Sequence, residues 1–220
     1  MIRTAILVDG GFYRKRANHL FGNKSAQERA AELNEYCKKH LKYKDQQTYL
    51  YRVFYYDCPP SDKTIFHPLT KKHVNMKKSE MYEWMNTFLN ELKSKRKFAI
   101  RLGRLSSNDI GYMLKPEIVK ALFSEKMTLS EVTEQDFKLE IKQKAMDMKL
   151  GTDIASIALK KQVDRIILIA GDSDFVPAAK LARREGIDFI LDPMGQNINA
   201  DLNEHIDGIR SKIKYFIQTT

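Results

Sequence analysis

Two short apolar runs, each closed by glycine and aspartate, constrain the fold of this chain more than any other feature. The first run, Ala5–Val8, leads into Asp9 and two glycines, and the second, Ile166–Ala170, leads into Gly171 and Asp172. Runs of this length that are apolar throughout indicate strands buried on both faces, as in a parallel sheet covered by helices. Because open α/β sheets bind their ligands at the carboxyl ends of the strands, both aspartates are expected at one edge.

Strand and helix patterns alternate along most of the chain. Strands are predicted at 3–8, 48–56, 98–105, 137–144, 165–170 and 187–191, and the helical patterns between them include one opened by Ser25 and Glu28, a capping box, and a final one from Asn199 onward. We therefore predict an α/β protein with three layers, α/β/α, around a central, mostly parallel sheet. The stretch 106–136 does not fit this alternation and is predicted to be an insertion, and residues 1–220 are expected to form one domain.

Charge and cysteine content limit the classes of function. Lys and Arg outnumber Asp and Glu by 38 to 28, a formal net charge of +10, and a basic protein attracts polyanions such as nucleic acid. A generic basic surface is the simpler alternative. The two cysteines, Cys37 and Cys58, belong to no ligand motif, which argues against a disulfide framework or zinc site and indicates a reducing compartment. Neither a signal peptide nor a membrane span is predicted, so a soluble, cytoplasmic protein without a membrane partner is expected.

Four aspartates are the candidate catalytic and metal-binding residues: Asp9, Asp147, Asp172 and Asp174. Carboxylates that gather at one sheet edge repel one another unless a cation lies among them. Mg²⁺ and Mn²⁺ prefer such oxygen ligands. Two divalent ions about 4 Å apart activate a water molecule and stabilise the leaving oxygen during phosphodiester hydrolysis. The pattern therefore predicts a nuclease with a carboxylate-bound metal site.

Some of these assignments have alternatives. Asp174 precedes a predicted helix and could instead be its N-cap. Asp153 lies six residues after Asp147 on the same predicted helix, a rotation of about 240°, so both cannot face one point. Asp147 is preferred for the metal, and Asp153 is the second candidate metal ligand. Gly10, Gly11 and Gly171 are expected to keep the backbone bare so that substrate approaches closely.

Basic residues near the aspartates are candidates for contact with a nucleic-acid backbone. The predicted substrate-binding residues are Lys144, Arg14, Lys15 and Arg16. The alternative for each of them is a solvated surface position.

Taken together, residues 6–12, 143–153 and 167–175 resemble the NYN domain family, a branch of the PIN-like nuclease superfamily. The resemblance implies a three-layer α/β/α fold and a Mg²⁺- or Mn²⁺-dependent endoribonuclease. It implies that Asp9, Asp147 and Asp172 bind metal, with Asp174 and Asp153 as acidic neighbours. The expected partner is RNA, single-stranded DNA is a further candidate substrate, and a homo-oligomer is left open.

This chain departs from the family pattern at two places. Many relatives have Asn soon after the first Asp, where Gly11 and Phe12 stand here. Relatives commonly have Gly after the lysine, where this chain has Ala145.

The end of the chain fits the family pattern. Leu202 and Asp207 are expected in the final helix.

Two other functions are weighed against the nuclease. One is a module of the same fold that holds RNA or a protein partner without cutting. The other is a phosphatase for small esters, because Gly171–Asp174 resembles the late acidic motif of haloacid-dehalogenase-type enzymes. Those enzymes need an Asp-x-Asp pair at the first strand, and Asp9 is followed by two glycines.

Overall fold

The computed structural model describes residues 1–42 and 47–217, and it describes all of their side chains except those of 106–109, 142–144 and 173. The strands are β1 (Ile2–Asp9), β2 (Thr48–Asp57), β3 (Thr64–Phe66), β4 (His73–Asn75), β5 (Phe98–Leu102), β6 (Arg104–Leu114), β7 (Phe137–Lys144), β8 (Arg165–Ile169), β9 (Asp188–Asp192) and β10 (Gly208–Ile209). The helices are α1 (Gly10–Phe21), α2 (Ala26–Leu41), α3 (Glu80–Ser94), α4 (Pro116–Phe123), α5 (Met146–Leu159), α6 (Val176–Arg184) and α7 (Ala200–Glu204).

A six-stranded parallel sheet in the order β10-β9-β8-β1-β2-β5 organises the molecule. β1 lies between β8 and β2, and Ala5, Ile6, Leu7 and Val8 are fully buried. Successive residues of a strand point to opposite faces, so Ala5 and Leu7 enter one core and Ile6 and Val8 the other.

Helices cover both faces of this sheet. Buried residues of α5 and α6 form the first core with Ala5 and Leu7, and buried residues of α1, α2 and α3 form the second with Ile6 and Val8. The predicted three-layer α/β/α fold with a central parallel sheet is therefore confirmed. The prediction of one domain over 1–220 stays a prediction. None of the helices in the described ranges has the length and apolar character needed to cross a bilayer.

The capping box predicted before the second helix is confirmed. The backbone N–H of Glu28 donates to the Ser25 hydroxyl at 3.3 Å, and the Glu28 carboxylate accepts from the Ser25 backbone N–H at 2.9 Å. Two N–H groups at a helix start otherwise lack a partner, and this pair of bonds satisfies both. Helix α2 therefore begins where the sequence places it.

The predicted insertion is larger and more ordered than expected. β6 and β7 pair antiparallel as a two-stranded ribbon separate from the main sheet, and α4 lies between them in sequence. The strand predicted at 137–144 is confirmed, but it pairs with β6 and not with the main sheet. The strand predicted at 98–105 divides at Gly103, whose N–H donates to the Asp57 carbonyl oxygen at 2.8 Å.

The chain after Asn199 also differs from prediction. α7 ends at Glu204, and β10 then adds a sixth strand beside β9. Asp207 lies outside the helix, where its carboxylate accepts from the Phe189 backbone N–H at 2.8 Å and from Arg183 at 2.9 Å. A strand of only two residues carries no periodicity, so the pattern gave no sign of it.

Ala145, one of the two departures from the family pattern, has an unusual backbone conformation. It precedes α5 with φ of 69°, in the left-handed region that favours glycine. This chain therefore places a Cβ in a conformation that an L-residue rarely adopts.

We expect Ala145→Gly to raise the free energy of unfolding by roughly 0.5–1 kcal/mol, because it relieves the strained φ. The matched control is Ala155→Gly in the interior of α5, which should lower it by about 1 kcal/mol. Urea unfolding monitored by circular dichroism measures both. Equal destabilisation by the two substitutions would show that Ala145 does not bear backbone strain.

Candidate active site

Acidic side chains meet at the carboxyl edge of the parallel sheet. Asp9 ends β1, Asp172 follows β8 after Ala170 and Gly171, and these two strands are neighbours. Asp147 lies in the first turn of α5. An open cavity of about 370 Å³ occupies this edge, lined by Asp9, Phe12, Gly171, Asp172, Gln196 and Asn199. The structure therefore brings the ends of two distant chain segments to one cavity, as the parallel topology requires.

Asp9 is both the last residue of β1 and the N-cap of α1. Its Oδ1 accepts a hydrogen bond from the Phe12 backbone N–H at 3.0 Å. The cap holds the carboxylate in a defined orientation at the strand end. Burial raises the pKa of Asp9, the Phe12 N–H opposes that rise, and the negative charges of Asp57 and Asp147 add to it.

Asp147 connects Asp9 electrostatically with the acidic turn after β8. Burial raises the pKa of Asp147, and the charges of Asp172 and Asp174 raise it further. Since the charge of Asp147 also raises the pKa of Asp9, all four predicted aspartates lie within one electrostatically coupled group. We call Asp9, Asp147, Asp172 and Asp174 the aspartate group.

The alternative assignment of Asp174 as a helix cap is not what the structure shows. The N-cap of α6 is Phe175, and no side chain caps this helix. Instead, the backbone N–H of Asp174 donates to Asp172 Oδ1 at 3.1 Å. This bond holds the turn that carries both carboxylates, and Asp174 stays exposed beside Asp147.

The aspartate group is more open than a closed metal cage. Among the described residues, the trio whose potential ligand atoms all lie within 4.8 Å of one another is Asp201, Glu204 and His205 of the α7 region. No three members of the aspartate group meet that distance. Mg²⁺ usually binds one or two carboxylates and keeps several waters, so the open spacing suits ions held by pairs of aspartates and by water.

Asp153 is engaged away from the aspartate group. Its Oδ2 accepts from the Tyr56 hydroxyl at 2.8 Å and from Arg101 Nε at 2.9 Å. The rotation expected between Asp147 and Asp153 on one helix accounts for this separation. We therefore leave Asp153 out of the proposed metal ligands.

A buried ion pair below the site escaped the sequence analysis. Asp57, at the end of β2, is fully buried. Its carboxylate accepts hydrogen bonds from Arg14 Nε at 2.9 Å and from Arg14 Nη2 at 3.0 Å. The Tyr55 hydroxyl and the Cys58 backbone N–H also donate to Asp57, each at 2.8 Å. The signal was available in the sequence, because Asp57 ends a predicted strand just as Asp9 does.

The four basic residues predicted to hold substrate have different surroundings. Arg14 is half-buried and bound to Asp57, and Arg16 Nη2 donates to the Met194 carbonyl oxygen at 2.8 Å. Lys15 is exposed on α1, one turn after Gly11, whose backbone lies beside Asp9. The side chain of Lys144 falls outside the described ones. Of the four, Lys15 is the one whose described surroundings leave it open to a phosphate backbone.

Comparison with known proteins places the chain in a family. The profile of the NYN domain matches residues 83–204, which is more than half of the 220 residues. The chain belongs to the NYN domain family. The match begins within α3, so Asp9 lies outside the matched residues. Asp9 ends β1, which pairs with β8, a strand inside the matched range.

Other comparisons of this NYN domain add little. None of the curated proteins matches it. One solved structure that matches is a protein of unknown function from Vibrio parahaemolyticus RIMD 2210633. It is 14% identical with a TM-score of 0.46, over 94% of this chain and 91% of the other.

Two glycines of this NYN domain serve close packing. A Cβ on Gly10 would lie 2.5 Å from the Tyr55 ring and 2.6 Å from Asp57 Oδ2. A Cβ on Gly171 would lie 2.5 Å from the Phe12 ring. Phe12 thus packs against the turn that follows β8 and joins the two acidic turns. The structure gives these glycines a packing role, and their expected role in admitting substrate stays a prediction.

We expect Gly171→Ala to lower the free energy of unfolding by about 1–3 kcal/mol, because the added methyl overlaps the Phe12 ring. The control is Gly151→Ala in α5, where the new Cβ would lie 4.0 Å from Ala178 Cβ. This helical replacement should stabilise by roughly 0.5–1 kcal/mol. Denaturant unfolding compares them, and a neutral Gly171→Ala would rule out close packing of Phe12 at this turn.

Proposed function

We propose that this NYN domain is a Mg²⁺- or Mn²⁺-dependent endoribonuclease. The observation that carries the proposal is the aspartate group, four carboxylates near one sheet edge, where burial first and neighbouring carboxylates second raise the pKa values of Asp9 and Asp147. Among the described side chains, no arginine or lysine forms an ion pair with any of the four. Carboxylates kept together without a counter-charge are the arrangement that a hard dication neutralises.

The residues fit such a cation by their chemistry. The donor set consists of carboxylate oxygens, the ligands that suit Mg²⁺ and Mn²⁺. We assign Asp9, Asp147 and Asp172 as the residues that hold the metal, and Asp174 as the residue that orients the attacking water. When bound, the cation supplies an activated water at neutral pH and stabilises charge on the phosphodiester. The N-cap on Asp9 and the Asp172–Asp174 turn keep these carboxylates in place beforehand.

The positive charge of the protein favours RNA as the substrate. The formal net charge is +10, while the site itself is acidic. Lys15 is exposed on α1, one helical turn after Gly11, which lies beside Asp9, and we propose that it contacts the RNA backbone. We also propose single-stranded DNA as a secondary substrate, since the assigned residues act on the phosphodiester alone.

A second candidate function is RNA binding without cleavage. The spacing of the aspartate group, in which no three members bring ligand atoms within 4.8 Å among the described residues, favours this alternative over the phosphatase. Salt-dependent RNA binding with no cleavage in Mn²⁺ would select it.

Removing one charge from the aspartate group should stabilise the metal-free protein. Asp147 has a raised pKa in the folded state, so its ionisation opposes folding as pH rises above the unfolded value of about 3.9. We expect Asp147→Asn to raise the free energy of unfolding at pH 7, by a few tenths of a kcal/mol for this exposed residue. The gain should vanish below about pH 4.

The same variant tests metal binding. Mn²⁺ should raise the melting temperature of the wild type by mass action and raise that of Asp147→Asn much less. Differential scanning fluorimetry with and without Mn²⁺ measures both effects. A variant that is less stable without metal, yet equally stabilised by Mn²⁺, would place Asp147 outside the site.

Cleavage is tested with a fluorescently labelled RNA in Mg²⁺ or Mn²⁺. The wild type should cut the RNA internally, EDTA should abolish the reaction, and Asp9→Asn and Asp172→Asn should each lower the rate by at least about 100-fold. Asn remains a good N-cap, so Asp9→Asn should keep α1 intact.

The control for the cleavage assay is Asp164→Asn. Asp164 precedes β8 at the opposite edge of the sheet and pairs with Arg3 on the surface. This variant should cleave at the wild-type rate. If the Asp9 and Asp172 variants retained wild-type cleavage, the activity would belong to another site or to a contaminant.

A further inference from the structure

A second open cavity adjoins the aspartate group on the β9 side of the sheet. It has a volume of about 530 Å³, and its wall is the loop between β9 and α7 together with the start of α7 and the edge strand β10. We call it the amide groove, after three of its lining residues, Gln196, Asn197 and Asn203. Its volume lies within the range of small-ligand sites.

The amide groove continues from the aspartate cavity. Gln196 lines both cavities. Its Oε1 lies 3.0 Å from the position that a Cβ on Gly171 would take, next to Asp172. β9 is also the neighbour of β8 in the sheet. A molecule that lies over the aspartates and extends toward β9 therefore enters the amide groove directly.

The chemistry of the groove suits a planar, uncharged group with polar edges. Ile198 and Ile209 supply apolar surface, and 53% of Ile209 is exposed. Within the described part of the chain, the side-chain amides of Asn197 and Asn203 make no hydrogen bond. An amide presents a donor and an acceptor side by side, which matches the edge of a nucleobase.

The acidic residues of the α7 wall disfavour a phosphate beside Asn203. Asp201 and Glu204 are exposed on α7, the same helix that provides Asn203. Their negative charge repels phosphate and leaves a neutral base unaffected. In an RNA duplex the Watson–Crick edges are used by pairing and the major groove is too deep and narrow for side chains to read, so an RNA base read by amides in such a groove is unpaired.

We propose that the amide groove binds one unpaired nucleobase of the RNA strand whose backbone lies over the aspartate group. The substrate is then single-stranded at the position next to the cleaved phosphate. This inference rests on the proposed function, and the measurements below separate the two.

The test measures binding to a single-stranded oligoribonucleotide by fluorescence anisotropy in Ca²⁺. A series of the same oligonucleotide carries one abasic ribose at successive positions. For the wild type, the abasic ribose should weaken binding about 10-fold at one position, equivalent to about 1.4 kcal/mol. In a fully paired duplex of the same sequence, an abasic ribose should not weaken binding at any position.

The variant Asn197→Ala/Asn203→Ala should bind the intact oligonucleotide about 10-fold more weakly and should no longer distinguish the abasic one. Both residues are exposed, and its melting temperature confirms folding. The control is Asn90→Ala, an exposed asparagine of α3, which should behave as wild type. A wild type without an abasic penalty at any position, or a double variant that keeps the penalty, overturns the proposal.

Cleavage of the intact oligonucleotide in Mn²⁺ is measured in parallel. If the wild type does not cleave but shows an abasic penalty that the double variant loses, the ribonuclease proposal fails and the amide groove stands. If it cleaves with no abasic penalty, the groove proposal fails and the ribonuclease stands. If it neither binds nor cleaves, both are overturned.

Discussion

The parallel pairing of β1 with β8 on one side and β2 on the other is the constraint on which the rest of the structure depends. It buries Ala5–Val8 completely and sends alternate side chains into two separate cores. The same pairing brings Val8 opposite Ile169, so the residues after both strands emerge together. Every feature of the candidate site, from the cap at Asp9 to the turn at Asp172, follows from this placement.

A charged site at the end of a buried sheet needs support, and a buried ion pair next to it supplies that support. Asp57 and Arg14 form an ion pair below the site that Tyr55 and the Cys58 N–H complete. A buried charge pair is tolerated when its remaining hydrogen-bonding capacity is satisfied. The aspartate group above it differs, since its charges repel and raise the pKa values of Asp9 and Asp147. That contrast between a satisfied pair and a set of unpaired carboxylates is the basis on which the aspartate group is proposed as the site.

Much of the fold and part of the site follow from the sequence. The buried strands, the capping box at Ser25 and the location of Asp9 and Asp172 at one edge depend on local pattern and on the geometry of parallel sheets. β6, its pairing with the predicted strand β7, and β10 were missed because strand partners are chosen by tertiary contacts. Arg14 was expected to face substrate, and its partner Asp57 lies 43 positions away in the chain, beyond the reach of any local pattern.

By itself, the sequence determined the class of fold and the identity of the acids at its edge, because apolar runs that end in aspartate specify buried strands with polar ends. The tertiary structure decided which acids remain available. Asp153 is hydrogen-bonded to Tyr56 and Arg101, and Asp57 is paired with Arg14. Asp147 instead lies near the charges of Asp172 and Asp174. The tertiary structure also placed the amides of the β9–α7 loop next to Gly171. The physical reason is that a carboxylate's role depends on which charges and donors surround it, and those arrive from segments far apart in the chain.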